Sequence, residues 1–441
     1  MAKTYDTYKD SGIAWIGKIP SKWKVCRIKN SASLYTGNSI KDEEKDYYTD
    51  YKNARPYIAT KDIDATYLSA NYENDLYIKT GDSKFRVAPK NSSLVCIEGG
   101  SAGKKKAFLE QEVSFVNKLC CFAPNKTIVG KYLFHFLCSP NFEDIFSSKI
   151  TGLIGGVNIP SLKDINCVLP SIEEQQTIAT FLDKKCSEID SLISLQEEMI
   201  SELQAYKQSV ITEAVTKGLD PKVKMKDSGV EWIGEIPEGW NIKFLSKIIW
   251  LRARLGWKGL KAEEYVEVGY PFLSVFNIIN NKLDWSELNY INQQRYDESP
   301  EIKLSVGDVL IVKDGAGIGK TARIDNLPNG ESTVNSSIGV ITPSDILSYQ
   351  YLYYFLLSNP FQNMVGLLKN GMGVPHLTQE NMKSALIPVP KIEEQKQIAS
   401  YLDSKSQQID TLIAIKQEKI QELKDYKKSV IYEYVTGKKK V

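Results

Sequence analysis

Residues Lys9-Asp10-Ser11-Gly12-Ile13-Ala14-Trp15-Ile16-Gly17-Lys18-Ile19-Pro20 return as Lys226-Asp227-Ser228-Gly229-Val230-Glu231-Trp232-Ile233-Gly234-Glu235-Ile236-Pro237, 217 positions later. A second block, Ile172-Glu173-Glu174-Gln175, returns as Ile392-Glu393-Glu394-Gln395 at an offset of 220, and 25 of the 45 residues from 172 to 216 are identical to those from 392 to 436. The chain is a tandem duplication, which predicts two copies of one unit in a pseudo-two-fold architecture. Between the blocks the copies diverge, leaving islands such as Pro56-Tyr57-Ile58 against Pro271-Phe272-Leu273 and Tyr132-Leu133-Phe134 against Tyr351-Leu352-Tyr353. Each unit reads as a mixed globular segment with short β-rich runs (Leu94-Val95-Cys96-Ile97; Val309-Leu310-Ile311-Val312) and Gly/Asn/Asp turns, followed by one long helix.

In the first long helix, Leu182, Ile189, Leu203 and Val210 fall on a seven-residue step, and in the second Leu402, Ile409, Leu423 and Val430 do the same. Such stripes are coiled-coil seams, and each is interrupted at the same register, by Gln196 and by Lys416. A polar seam residue restricts the tolerable alignments, so the spacing predicts one antiparallel pairing inside the chain. Ser171 with Glu174 makes a capping box at the first start, where the second copy has Lys391, and Gly218 and Gly437 stand just beyond the ends. Helices near 171–216 and 391–436 follow. At 1.5 Å per residue, about 45 residues span roughly 65–70 Å, a strut of fixed length.

Composition sets limits on function. The 441 residues are 42% hydrophobic and 25% charged, with 56 Lys and Arg against 54 Asp and Glu, a formal charge of +2. Any nucleic-acid role therefore rests on local patches. No run approaches the roughly 18 apolar residues of a bilayer helix, and the polar start carries no apolar signal core, so no membrane role and a cytoplasmic location are expected. Seven cysteines, odd in number and without a Cys-x-x-Cys pair, argue against a disulfide framework or structural zinc. The two histidines, His135 and His376, sit apart, which disfavours histidine-based catalysis. Glu173-Glu174 and Glu393-Glu394 open helices, where carboxylates complement the dipole, and Trp15, Trp23, Trp232 and Trp240 read as scaffold. No methyltransferase, nucleophile-elbow or zinc-protease motif is present, so nothing resembles an active site.

Asp314-Gly315-Ala316-Gly317-Ile318-Gly319-Lys320-Thr321 approaches a phosphate-binding loop but has Asp314 where the first glycine belongs, and the corresponding Glu98-Gly99-Gly100-Ser101-Ala102-Gly103-Lys104-Lys105-Lys106 lacks the hydroxyl that would hold magnesium. The alternative is a strand turning through glycines to bring Lys320 and Arg323, or Lys104, Lys105 and Lys106, against phosphates or guanines. A second basic cluster, Arg252-Ala253-Arg254-Leu255-Gly256-Trp257-Lys258, adds Arg252, Arg254 and Lys258 to the candidate DNA contacts; its first-copy counterpart near Tyr35-Thr36-Gly37-Asn38 lacks them. On these residues alone a P-loop NTPase with coiled-coil arms and a coiled-coil adaptor without nucleic-acid contact stay open as alternatives.

The Lys-Asp-Ser-Gly-x-x-Trp-Ile-Gly-x-Ile-Pro-x-x-Trp opening of each unit, the Pro-x-Ile-Glu-Glu-Gln helix entry (Pro170 to Gln175; Pro390 to Gln395) and the Asp314-Gly315…Gly319-Lys320 loop resemble specificity subunits of type I restriction-modification systems. The resemblance implies an α+β chain with two tandem α/β target-recognition domains separated by two long antiparallel coiled-coil helices. The boundaries would be 1–169 and 226–389 for the recognition domains, 170–217 and 390–436 for the helices, 218–225 for a linker and 437–441 for a basic tail. It further implies a non-catalytic reader of an asymmetric bipartite site in double-stranded DNA, with the helices setting the spacing and docking two methylation subunits, together with two restriction subunits. No cofactor is expected in this chain; S-adenosylmethionine, ATP and Mg2+ would belong to the partner subunits. Two departures stand out: Glu98 replaces the loop aspartate, and the first copy has about five fewer residues between Pro160 and Pro170 than the second has between Pro375 and Pro390.

Overall fold

The computed structural model describes residues 3–152, 155–254, 260, 262–369 and 376–441. Contacts divide the chain into two units, Met1–Glu197 with Gln417–Val441, and Glu198–Lys416, so each unit takes part of both long helices. Those helices run unbroken from Ile172 to Lys217 and from Ile392 to Val435.

The two units repeat one α+β topology despite their divergent sequences. In the first, an antiparallel sheet orders the strands Lys106–Phe108, Ser93–Cys96, Leu119–Pro124 and Ala32–Thr36; in the second the order is Thr321–Arg323, Val309–Val312, Ile338–Pro343 and Ile249–Arg252. A smaller sheet pairs Ala54–Ile58 in parallel with Val113–Phe115, matched by Tyr270–Leu273 with Thr333–Val334. The apolar runs seen in the sequence are these central strands: Ser93–Cys96 and Val309–Val312 are buried throughout, as strands covered on both faces must be. A strand pair forms the neck of each unit, Lys24–Arg27 with Asn166–Leu169 and Asn241–Phe244 with Leu386–Val389.

The Ile-Glu-Glu-Gln entry secures each neck to its helix. Gln175, fully buried, accepts from the Val129 amide at 2.8 Å and donates to the carbonyls of Thr127 and Pro170; Gln395 does the same with Ser348, Ile346 and Pro390. A neutral amide that both donates and accepts satisfies this buried site without a charge. Glu174 accepts from the indole N–H of Trp23 at 3.1 Å, and Glu394 from that of Trp240 at 3.0 Å, so both tryptophans are scaffold.

The far end of the other helix closes each unit. In the first, Tyr132 donates to the carbonyls of Val168 and Val435 at 3.0 and 3.1 Å; in the second, Tyr351 donates to Val215 and Pro388 at 3.0 and 2.9 Å. Burial holds both phenols well above their ordinary range, so they remain donors. The helices end at Gly437 and Gly218, whose φ of 72° and 77° are left-handed. An added Cβ on Gly437 would lie 2.4 Å from Pro20, and one on Gly218 would lie 3.2 Å from Trp240, so each glycine also permits close packing on its neck.

Within each unit the helix segments are antiparallel. In the first, the Phe181 and Tyr434 rings meet at 4.5 Å and Lys427 pairs with Asp190 at 2.7 Å; in the second, Lys207 pairs with Asp410 at 2.6 Å and Lys416 reaches the Met199 sulfur at 3.4 Å. Leu182, Ile189, Val430, Leu402 and Ile409 are buried, whereas Leu203, Val210, Leu423, Gln196 and Lys416 are half-buried.

The two copies are equal in length ahead of their helix-entry prolines. The short helix Ile159–Lys163 is capped by Asn158 and its counterpart Gln379–Ser384 by Thr378, and both caps stand 12 residues before the prolines at 170 and 390. The first copy therefore has no deletion before Pro170. Pro160 lies within its helix while Pro375 precedes the cap, so those prolines are not equivalent; Pro375 lies outside the described residues.

His135 is buried and contacts Asp183 of the long helix at 2.8 Å. Desolvation outweighs that carboxylate and pushes the imidazole below its ordinary value. The unfolded chain then takes up this proton more readily, so stability held above the unfolded pKa of about 6.5 is lost as the pH falls below it. Urea denaturation at pH 5 and pH 7 should show this loss, and His135→Gln should reduce the difference. Tyr132→Phe and Tyr351→Phe should each lower unfolding free energy by about 1–2 kcal/mol, read from urea midpoints. Unequal losses would mean that the two closures are not equivalent.

Candidate nucleic-acid interface

The glycine loop connects two antiparallel strands in each unit, Ser93–Cys96 to Lys106–Phe108 and Val309–Val312 to Thr321–Arg323. A phosphate-binding P-loop instead delivers its lysine onto a helix N-terminus. Here the residue after Lys320 enters a strand, which removes the geometric basis of the NTPase alternative.

The loop shapes agree in both copies. Gly99 and Gly103 have φ of 81° and 73°, and Gly315 and Gly319 have 76° and 87°. The Gly103 amide donates to Cys96 at 2.8 Å, and that of Gly319 to Val312 at 2.9 Å. A Cβ on Gly103 would come within 2.7 Å of Phe146, and one on Gly319 within 3.1 Å of Val365, so both loops are drawn tightly onto a helix. The strand registers place Lys106 where the second copy has Thr321, because the first loop is one residue longer.

This register sorts the basic candidates. Lys104 and Lys320 are exposed, and neither forms an ion pair among the described residues. Lys105 is half-buried and donates to the carbonyl of Thr60 at 2.7 Å. Lys106 is only 1% exposed, pairs with Glu143 at 2.7 Å and lies over the Phe142 ring. Arg252 is held by Asp308 and Thr342 at 2.7 Å and by the carbonyls of Glu301 and Lys303. Arg323 bridges Asp325 and Asp403 at 2.9 and 2.8 Å, tying the hairpin to the second long helix. Arg254 is half-buried, and Lys258 lies outside the described residues. Charges already neutralised in this way hold the domain together, which leaves Lys104, Lys105, Lys320 and Arg254 as the candidates without an ion pair among the described residues.

Beside each loop stands a corner that sequence reasoning missed. In the first unit it is Thr60–Asp62, and in the second Val275–Asn277. The buried Asp62 accepts from the Ala59 amide at 2.8 Å, and the buried Asn277 accepts from Ser274 at 2.9 Å while donating to Asp284 and Glu287. Lys105 touches Thr60, and Gly317 packs on Val275, where a Cβ would approach within 2.9 Å. The residue at each apex faces outward: Lys61 in the first copy, and Phe276, 90% exposed, in the second. The Pro56-Tyr57-Ile58 and Pro271-Phe272-Leu273 islands, extended three residues in register, were the signal that would have found them.

Arg252→Ala would leave Asp308 buried without its cation, a loss of about 3–5 kcal/mol, whereas Lys320→Ala should leave the unfolding midpoint unchanged. Chemical denaturation of the two variants checks this separation of scaffold from surface.

A family model described as the type I restriction modification DNA specificity domain matches residues 20–205 and 237–425. The type I restriction enzyme MjaVIII specificity subunit of Methanocaldococcus jannaschii is 26% identical over 436 residues, covering 96% of this chain and 94% of that protein. The EcoKI specificity subunit of Escherichia coli K12 is 28% identical over 209 residues, 46% of this chain and 44% of its own. A solved structure described as concerning complex assembly and conformational transition of the type I R-M system has the same fold, with a TM-score of 0.71, 18% identity, and coverage of 95% of this chain and 98% of that one.

Proposed function

Because the chain belongs to the family of type I restriction-modification DNA specificity subunits, we propose that its two units read the two halves of an asymmetric bipartite site in double-stranded DNA. The observation that carries this reading is the duplicated glycine loop and corner, built on the same hydrogen bonds but presenting different side chains. Two like scaffolds with unlike exposed residues call for two unlike half-sites, whereas identical residues would call for a palindrome. In this reading residues 1–169 and 226–389 are the recognition domains. Lys104, Lys105, Arg254 and Lys320 supply phosphate or base contacts, and the long helices 170–217 and 390–436 set the number of base pairs between half-sites.

The chain itself performs no covalent chemistry in this proposal and binds no cofactor. Adenine methylation with S-adenosylmethionine, and ATP- and Mg2+-dependent cleavage, belong to two methylation and two restriction subunits in the cytoplasm. Support for paired methylation partners comes from matching exposed apolar residues on the helices. The first unit presents Leu192, Leu195 and Tyr426, and the second presents Leu412, Ile415 and Tyr206, each 47–56% exposed. Two equivalent apolar patches offer two equivalent docking sites. With +2 net charge, further phosphate contacts from these partners account for affinity that this chain alone would not provide. Among the described residues, no helix is long and apolar enough to cross a membrane.

Replacing residues 24–168, whose ends meet in the neck strand pair, with the same segment of another family member should change one half of the methylated sequence and leave the other intact. Methylome sequencing of a host expressing the chain with its methylation subunits reads the outcome. A change in both halves would contradict independent reading by the two units.

A further inference from the structure

Phe276 occupies an unusual position for an aromatic ring. Its side chain is almost wholly in water, forgoing the roughly 1.5–3 kcal/mol that burying it would supply. The corner beneath it is nonetheless rigid. Ser274 and Asn277 on either side are tied by the amide and hydroxyl contacts to the Asn277 carboxamide, whose NH2 donates at 2.7 Å to Glu287 across the turn. Val275 is packed against Gly317 of the loop that carries the exposed Lys320. The backbone that carries the ring is thus held next to the loop of Lys320 before any partner arrives, and the ring has no internal contact to lose on binding.

We propose that Phe276 is a specificity-determining residue that contacts the 5-methyl group of a thymine in the major groove of the half-site read by the second unit. The inference rests on the DNA-reading role argued above and names one of its contacts. A phenyl ring has no donor or acceptor, so it does not read the hydrogen-bonding edge of a base. The one apolar feature that distinguishes bases in the major groove is the thymine methyl. Lys320, on the adjoining loop, supplies the charge that a ring facing a polyanion lacks. In the first unit the equivalent apex is Lys61, whose ammonium has no use for a methyl group, so the two corners contribute differently to the two half-sites.

The test uses the chain assembled with its methylation subunits on a duplex carrying the recognised sequence. Each thymine of the half-site assigned to the second unit is replaced in turn by deoxyuridine, which removes only the methyl. One such replacement should weaken wild-type binding about five-fold. Phe276→Ala should bind the unaltered duplex weaker by the same factor and be indifferent to that replacement, with the salt dependence of affinity unchanged. Indifference of the wild-type complex to every thymine-to-uracil change would overturn the assignment, as would cognate binding by Phe276→Ala as tight as wild type. If the wild-type complex prefers no sequence at all, the DNA-reading role fails with it. A sequence-specific wild type with an unaffected Phe276→Ala removes the Phe276 contact alone.

Discussion

Each recognition unit is completed by a helix end that belongs to the other repeat. The hydroxyls of Tyr132 and Tyr351 reach the last carbonyls of helices that begin elsewhere in the sequence, and Gly437 and Gly218 admit those ends against Pro20 and Trp240. The neck strands, the buried glutamine and the tryptophan–glutamate contact all converge on this point. Without the incoming helix end, one side of each core would be exposed and the hydroxyls would lose one of their two acceptors. The antiparallel course of the helix segments within each unit follows from the same requirement, because a helix must present its C-terminal turn where the opposite helix begins.

Much of this was legible in the sequence because local chemistry and duplication speak for themselves. Two blocks at nearly constant offset, seven-residue apolar steps and glycines just past the helix ends gave the architecture directly. The glycine loops were legible as turns after a strand, since glycine permits left-handed backbone, and Gly99, Gly103, Gly315 and Gly319 adopt it.

The fate of the basic residues was not legible. Lys106, Arg252 and Arg323 stand in clusters that look like solvent-facing patches, yet their counterions, Glu143, Asp308 and Asp403, lie 37, 56 and 80 positions away. Only the folded unit brings those pairs together, two of them through helices that pack against the sheet. Comparing the copies by shared prolines misled in the same way, because Pro160 sits inside a helix that its apparent partner precedes. Caps and strand registers, which depend on backbone hydrogen bonds, gave the correct equivalence where residue identity did not.

The corners at Asp62 and Asn277 are held from behind, by side chains pointing inward, so the outward position between them is energetically detached from the rest of the fold. Exchanging a cation for an aromatic ring there disturbs no internal contact. After a gene duplication, such a site is free to wander through amino-acid types by single codon changes, each intermediate remaining foldable. Two initially identical readers can thereby acquire separate vocabularies while their framework stays the same.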